Sequence, residues 1–240
     1  MKKQITAYWT KRSDSFCKLR KAELDSYMSS LWLEEINSYL KPQRLYKILD
    51  VGTGGGFFAI LLAKQGHYVE GIDLTASMIK GARRLAMKEN VGENINFEVM
   101  DAENLAYADN TFDIVITRNV TWNLPHPQKA YHEWHRVLKP NGRLLNFDAD
   151  YGKQKFVSDA SLPINHIHNL VDKSLMEECD AIKNSLAISK LNRPKWDMEV
   201  LANLGYENIS ADTQISKRLY LHKDQFYNPV PMFLISAVKG

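Results

Sequence analysis

The sequence is poor in cysteine, since its 240 residues contain only Cys17 and Cys179. These two residues stand far apart and match no metal-ligand or redox spacing, so we expect a reducing, cytoplasmic setting and no disulfide framework. No apolar run reaches membrane-spanning length, and residues 1–20 lack the apolar core of a signal peptide. These absences indicate a soluble protein that works inside the cell, without membrane association.

The sequence also has little excess charge. Its formal net charge is +3, and the two signs are intermixed except in the basic stretch before Lys21. We interpret that stretch as the solvated face of a helix, so a nucleic-acid partner is not expected. With 45% hydrophobic residues, the chain can bury one substantial core, and a single domain spanning 1–240 is predicted.

No Gly-Lys-Ser/Thr sequence is present, which excludes a phosphate-binding loop of that type. Glycine is instead concentrated in 52–56, directly after the apolar run 48–51. The spacing is G-x-G-x-G, at Gly52, Gly54 and Gly56, whereas the dinucleotide fingerprint would require its third glycine at Phe57. A nicotinamide-dependent oxidoreductase is therefore disfavoured.

Apolar strand patterns and amphipathic helix patterns alternate along the chain. Such alternation predicts a parallel sheet with helices on both faces, because each crossover returns the chain to the same edge. Ligands bind beyond the carboxyl ends of such strands. The predicted strands are 48–51, 67–73, 94–100, 112–117, 143–147, 208–215 and 232–238, and the predicted helices are 20–41, 57–65, 75–90, 128–138 and 195–204, with a further helical piece around 163–180.

Several acidic and loop motifs follow the glycines in a characteristic order. Asp50 precedes the glycines and Asp73 ends the next predicted strand, while Asp101-Ala102-Glu103, Phe112-Asp113 and Arg136 to Gly142 come later. In this combination the chain resembles the class I (Rossmann-like) S-adenosylmethionine-dependent methyltransferases that act on small molecules. The resemblance implies an α/β fold, with a doubly wound, mostly parallel seven-stranded sheet. It divides the single domain into an N-terminal helical arm (1–41), a cofactor-binding core (42–150), a helical, substrate-side insertion after strand five (151–194) and a C-terminal helix with a strand pair (195–240).

The resemblance also implies roles for individual residues in binding S-adenosylmethionine and its product S-adenosylhomocysteine. An acid ending the second strand can accept both ribose hydroxyls, and the family uses that position so. The implied cofactor contacts are Asp73 for the ribose; Gly52 and Gly54 for the methionine part, with Asp50 near its amino group; Asp101 and the Ala102 backbone for the adenine amino group; Leu74 for the adenine face; and Arg118 with Asn119 for the methionine end.

Catalytic residues are harder to identify, because methyl transfer from a sulfonium needs mainly in-line positioning in a dry pocket. A general base is optional. If one is used, the candidates near the carboxyl rim are His126, Asp148, Asp150 and Tyr8. Each of the four could equally be an ordinary loop, edge or packing residue.

Two further possibilities concern metals and a non-catalytic role. His132, Glu133 and His135 share one predicted helix, and His166 stands near His168, but no third ligand follows from either spacing, so no metal is predicted. The Asn/Asp-Pro-Pro-Tyr motif of base-methylating enzymes is absent after the fourth strand. A non-catalytic sensor or scaffold that binds S-adenosylmethionine remains an alternative, because the sequence identifies cofactor-binding residues but not catalytic ones.

Overall fold

The computed structural model of the chain describes residues 1–156, 162–163, 166, 169 and 171–240. Seven strands form one sheet. Their bounds are β1 (Lys47–Val51), β2 (Tyr68–Asp73), β3 (Ile95–Val99), β4 (Phe112–Arg118), β5 (Leu138–Ala149), β6 (Tyr206–Asp212) and β7 (Met232–Lys239).

The strands lie in the order β3-β2-β1-β4-β5-β7-β6. The strands from β1 to β5 pair in parallel, whereas β7 runs antiparallel between β5 and β6. This arrangement confirms the predicted fold class, a doubly wound and mostly parallel sheet of seven strands. The strand order reverses between β1 and β4, so the carboxyl ends of these two strands flank the crevice in which such sheets bind ligands.

The described part of the chain contains eight α-helices, and none of them is long and apolar enough to cross a membrane. In the predicted insertion, the structure describes α6, but much of 157–170 lies outside the described residues. The helices are α1 (Lys2–Leu24), α2 (Met28–Asn37), α3 (Phe57–Lys64), α4 (Ala76–Lys88), α5 (Pro127–Val137), α6 (Lys173–Ser185), α7 (Lys195–Asn203) and α8 (Ile215–Leu219).

Three predicted boundaries differ from the structure. The continuous helix expected over 20–41 is two helices, because Ser26 donates to the Glu23 carbonyl and accepts from the Met28 amide, which replaces helical bonding. Strand β5 begins at Leu138, well before the expected 143, because Leu138 already pairs with β4. Ile215 begins the short helix α8, where the sequence had predicted the end of a strand.

The apolar core lies in two layers, one on each face of the sheet. Ile48 packs into the layer that includes α1 to α4, whereas its neighbour Leu49 packs into the layer that includes α5 and α7. Ile114 and Val115 of β4 divide in the same way. Consecutive residues of a strand point to opposite faces, so continuous apolar strands of this kind require helices on both sides.

Glu23, near the end of α1, joins that helix to the rim of the sheet. Its buried carboxylate lies 2.7 Å from Arg20 Nη1 and 2.8 Å from Nη2 of Arg118, the last residue of β4. The Trp32 indole also donates to it, across 3.1 Å. Burial raises the pKa of Glu23, but the two guanidinium groups outweigh this effect and hold the pKa below its ordinary value. The carboxylate therefore stays ionised between its two partners.

Replacing Glu23 tests how much this cluster contributes to stability. Glu23→Gln leaves two buried guanidinium groups without a carboxylate, and the free energy of unfolding should fall by about 3–5 kcal/mol. Urea denaturation measures the change. Exposed Glu34 on α2 is the matched control, since Glu34→Gln should shift stability by at most about 0.5 kcal/mol. Equal effects of the two substitutions would contradict a role for the cluster in stability.

Candidate functional site

A cavity of about 290 Å³ opens at the carboxyl ends of the central strands. The sheet contributes the glycine loop after β1 and the residues that follow β2, β3 and β4. Helix α1 covers one side, and parts of the insertion and of the segment before β7 cover the other. Of the sequence-predicted residues, those that line it are Tyr8, Gly52, Gly54, Asp73, Leu74, Asp101, Ala102, Arg118 and Asn119.

Two glycines of the loop have conformations that explain their identity. Gly52 and Gly54 have positive φ values of 64° and 53°, which side-chain-bearing residues rarely adopt. A Cβ atom at Gly52 would lie 2.3 Å from Val120, and one at Gly54 would lie 2.9 Å from Phe16. The backbone of the loop therefore forms the cavity wall directly, with Val120 and Phe16 packed against it.

Asp73 ends β2 beside this loop. Its Oδ2 accepts from the Gly54 amide at 3.1 Å and its Oδ1 accepts from the Thr75 amide at 2.8 Å. Neither oxygen forms an ion pair within the described residues, and the Thr75 side chain also hydrogen-bonds to this carboxylate. Burial raises the pKa of Asp73, and these hydrogen bonds oppose the rise. The carboxylate is thus a positioned acceptor in the wall of the cavity.

Asp101, the predicted adenine partner, is in contact with α1. Lys2 Nζ lies 2.6 Å from Asp101 Oδ2 and 2.5 Å from Glu103 Oε2. The Glu103 amide donates to Asp101 Oδ1 at 2.9 Å, and the Ala102 carbonyl accepts from Trp134. The first turn of α1 therefore reaches the acids that follow β3, which the sequence did not reveal.

The two residues after β4 differ in what they offer to a ligand. Both Nη atoms of Arg118 donate to Glu23, and its guanidinium lies 4.3 Å from the Trp32 ring centroid. Asn119 has a positive φ of 56°, and its side-chain oxygen accepts from the Tyr151 hydroxyl at 3.0 Å. Arg118 therefore presents a cation that is already held in place, and Asn119 fixes the loop beside it.

Asp50 does not line the cavity, and its position near the cofactor amino group stays a prediction. Its buried Oδ2 accepts from the Thr53 hydroxyl at 2.6 Å and from the Ala59 amide at 3.1 Å. These bonds tie the end of β1 to the glycine loop and to the first turn of α3. Burial raises the pKa of Asp50 to about 7, against the effect of both hydrogen bonds.

Two of the predicted catalytic residues occupy contrasting positions. Tyr8 is buried in α1 and lines the cavity, and burial raises the pKa of its hydroxyl far above the ordinary value. His126 is exposed, does not line the cavity and caps α5, with its amide donating to Glu103 at 2.6 Å. Tyr8 can therefore meet a ligand as a neutral hydroxyl, whereas the prediction for His126 is corrected.

The two predicted aspartates also lie outside the cavity lining. Asp148 is completely buried, accepts from the Trp122 amide at 2.9 Å and pairs with Arg193 at 3.1 Å. Asp150 follows β5 and pairs with Lys153 at 2.6 Å. Neither carboxylate lines the cavity, so a role of either as a general base stays a prediction.

Several residues that sequence reasoning missed line the same cavity. His166 is one of them, and its Nε2 donates to the Tyr227 carbonyl at 2.7 Å. His168 lies outside the described residues, and the described ones contain no cluster of three or more metal-ligating side chains. On α1, the side chains that line the cavity recur at steps of three and four residues, and this periodicity is the sequence signal that could have revealed them.

Aromatic side chains from three other segments also line the cavity. They follow β4, belong to the insertion or precede β7, and they are Trp122, Tyr151, Phe156, Tyr220, Phe226 and Tyr227.

Comparisons with known proteins agree with this geometry. Residues 49–146 match the family model described as a methyltransferase domain. The chain is 29% identical over 182 residues to the uncharacterized methyltransferase YcgJ of Bacillus subtilis, which covers 74% of this chain and 70% of YcgJ. The chain is therefore similar to methyltransferases, most clearly over residues 49–146.

Two further similarities define how far the likeness extends. The chain is 35% identical over 117 residues to the ubiquinone/menaquinone biosynthesis C-methyltransferase UbiE of Roseobacter denitrificans. That match covers 48% of this chain and 47% of UbiE, so it spans about half of that relative. A solved S-adenosylmethionine-dependent methyltransferase from Aquifex aeolicus shares the fold, with a TM-score of 0.60 and 20% identity over 93% of this chain and 98% of that one.

The raised pKa of Asp50 predicts a specific pH dependence of the protein's stability. The stability that the protonated Asp50 carboxyl contributes is fully present below the unfolded-state pKa of about 4. It is lost as the pH rises through the folded-state pKa of about 7. Asp50→Asn does not titrate and keeps an acceptor oxygen. The unfolding free energy of Asp50→Asn minus that of the original protein should therefore increase by about 2–3 kcal/mol between about pH 5 and about pH 8.

Urea titrations at several pH values measure this difference. Asp14→Asn is the control, because the Asp14 side chain on α1 is 81% exposed and should leave the pH profile unchanged. Parallel pH profiles for Asp50→Asn and the original protein would contradict a raised pKa at this position.

Proposed function

We propose that this protein binds S-adenosylmethionine in the cavity and transfers its methyl group to a small-molecule acceptor. The observation that carries the proposal is Asp73, a positioned carboxylate without a cationic partner in the described residues, next to the bare backbone of Gly52 and Gly54. A vicinal diol needs such an acceptor, and an adenosyl sulfur nucleotide brings one on its ribose.

The residues present fit the whole cofactor. Asp73 would accept from the ribose hydroxyls, and Leu74 with Ala102 would border the adenine. Asp101 would accept from the adenine amino group, sharing Oδ2 with Lys2, since a carboxylate oxygen can accept two hydrogen bonds. Gly52 to Gly54 would pass against the methionine part. Arg20 and Arg118, which share one carboxylate, leave a surplus positive charge for the methionine carboxylate.

When bound, S-adenosylmethionine supplies a methyl group on a positively charged sulfur that is already a good leaving group. The protein then has to orient the acceptor and keep water out. Helix α1 and the aromatic side chains of the insertion, such as Phe156, cover the rim where that contact would occur. Trp122 and Tyr151 pack against each other, with ring centroids 5.0 Å apart, and make that wall rigid.

None of the four predicted candidates is assigned as a strong general base. Three of the four predicted candidates lie outside the cavity lining, and the raised pKa of Tyr8 keeps its hydroxyl protonated near neutral pH. Tyr8 would therefore donate a hydrogen bond to the acceptor without removing its proton. We infer an acceptor whose nucleophile is reactive by itself, with positioning as the main source of rate enhancement.

The setting we propose follows from the same residues. Both cysteines are free, which suits the reducing cytoplasm. The chain would act as a single unit of residues 1–240, with the arm 1–41 and the insertion 151–194 on either side of the acceptor. Nucleic acid is not a proposed partner, since the formal net charge is only +3.

Replacing Asp73 tests the cofactor site. Asp73→Asn removes the charge that strengthens hydrogen bonds from the ribose, so affinity for S-adenosylhomocysteine should fall by about 1.5–3 kcal/mol, or roughly 10- to 150-fold. Isothermal titration calorimetry measures it. The control is Asp109→Asn, because the Asp109 side chain is 68% exposed and lies outside the cavity lining. Unchanged affinity in Asp73→Asn would mean that Asp73 does not bind the ribose.

Turnover separates an enzyme from a sensor. Incubation with S-adenosylmethionine and a panel of small-molecule acceptors should release S-adenosylhomocysteine, detected by mass spectrometry together with the methylated product. Binding of the cofactor with no product from any acceptor would favour the non-catalytic alternative. Failure to bind either sulfur nucleotide would refute the proposal itself.

A further inference from the structure

Arg12 lies in the middle of the α1 stripe that faces the cavity. Ile5, Tyr8, Arg12, Phe16 and Leu19 recur at steps of three and four residues, and all of them line the cavity. The side chains one helical turn away from Arg12 on this stripe are therefore Tyr8 and Phe16. Neither can neutralise a guanidinium charge. Arg12 is only 6% exposed, so its charge is also withdrawn from bulk solvent.

No described residue supplies Arg12 with an anionic partner. Among the described residues, the buried Nε atoms of Arg12, Arg20 and Arg118 all lack a hydrogen bond. Arg20 and Arg118 nevertheless pair with Glu23 through their Nη atoms, whereas Arg12 forms no ion pair with any described residue. The nearby acid Glu178, on α6, is held by Lys11 at 2.8 Å. A guanidinium group stays charged at every physiological pH, so burying it unpaired is strongly unfavourable. An anionic ligand in the cavity would provide the missing partner.

The position of Arg12 separates it from the proposed site for the cofactor's own carboxylate. Arg20 lies beside the glycine loop, since a Cβ atom at Gly55 would be 3.1 Å from its Cγ. Arg12 precedes Arg20 by eight residues, which is roughly 12 Å along a helix. It lies instead near Cys179 of α6, where burial raises the pKa of that thiol to about 11 and the Arg12 charge opposes the rise. Arg12 therefore faces the insertion side of the cavity.

The rest of that side of the cavity is largely apolar. Trp9, Trp122 and Phe156 line it, and the Tyr8 hydroxyl is a neutral donor next to Arg12. Aromatic walls around one buried cation match a ligand with an apolar body and one negative group. We propose, on the basis of the methyl-transfer function above, that Arg12 binds an anionic group of the methyl acceptor. The acceptor is then an acidic aromatic or similarly apolar small molecule, such as a carboxylic acid.

A matched pair of probes tests this assignment. The protein is first saturated with S-adenosylhomocysteine. It is then titrated with 2-naphthoate or with the neutral amide 2-naphthamide, and isothermal titration calorimetry measures the binding. The acid should bind roughly tenfold or more tightly than the amide, the usual scale for a charge-assisted hydrogen bond. Arg12→Met should abolish this preference and leave amide affinity within about twofold, and Arg12→Lys should retain part of it.

Lys18→Met is the control, because it removes the same charge from α1 at a side chain that is 76% exposed, and the preference for the acid should survive. Thermal melts confirm that each variant is folded. Equal binding of acid and amide by the original protein, or a preference that persists in Arg12→Met, would overturn the proposal. So would a tenfold loss of S-adenosylhomocysteine affinity in Arg12→Met with the preference intact, since Arg12 would then bind the cofactor. If the original protein does not bind S-adenosylhomocysteine, the proposed function itself fails, and this result is distinct from the outcomes above.

Discussion

The pairing of Glu23 with Arg20 and Arg118 is the interaction on which the rest of the site depends. It fastens the end of α1 to the end of β4, at the point where the strand order reverses. Because the helix is held there, its other residues extend across the mouth of the crevice as far as Asp101, which Lys2 contacts at 2.6 Å. The crevice at the carboxyl ends of the central strands thereby becomes a covered cavity. Removing the anchor would expose the glycine loop, against which Phe16 packs.

Charge is distributed within this cavity in a way that separates two tasks. Carboxylates at the ends of β2 and β3, Asp73 and Asp101, suit the hydroxyl and amino donors of an adenosine. The surplus charge of the Glu23 cluster suits a carboxylate near the glycine loop. Arg12 adds a second cation on the insertion side, where aromatic residues also line the cavity and no described residue pairs with it. Methyl transfer joins the two halves, because the sulfonium and the acceptor must meet between them.

The sequence predicted the sheet well, because the sheet depends on local patterns. The cofactor contacts stay predictions, although Gly52, Gly54 and Asp73 line the cavity. Alternating apolar strands and the spacing of Gly52 and Gly54 leave few other folds. The roles of Asp50 and Asp148 could not be predicted, since an acid at a strand end looks the same whether it faces a ligand or is buried against Thr53 or Arg193. Arg12 was also missed. Its significance lies in having no anionic partner among the described residues, and that depends on residues such as Glu178 that are distant in sequence.

A crystal structure of the protein with S-adenosylhomocysteine tests the central claim most directly. We predict electron density for the nucleotide in the cavity, with the ribose hydroxyls within hydrogen-bond distance of Asp73 and the homocysteine part against Gly52 to Gly54. The side of the cavity near Arg12 should stay open for an acceptor. A nucleotide bound elsewhere, or one whose ribose does not contact Asp73, would contradict this description of the site.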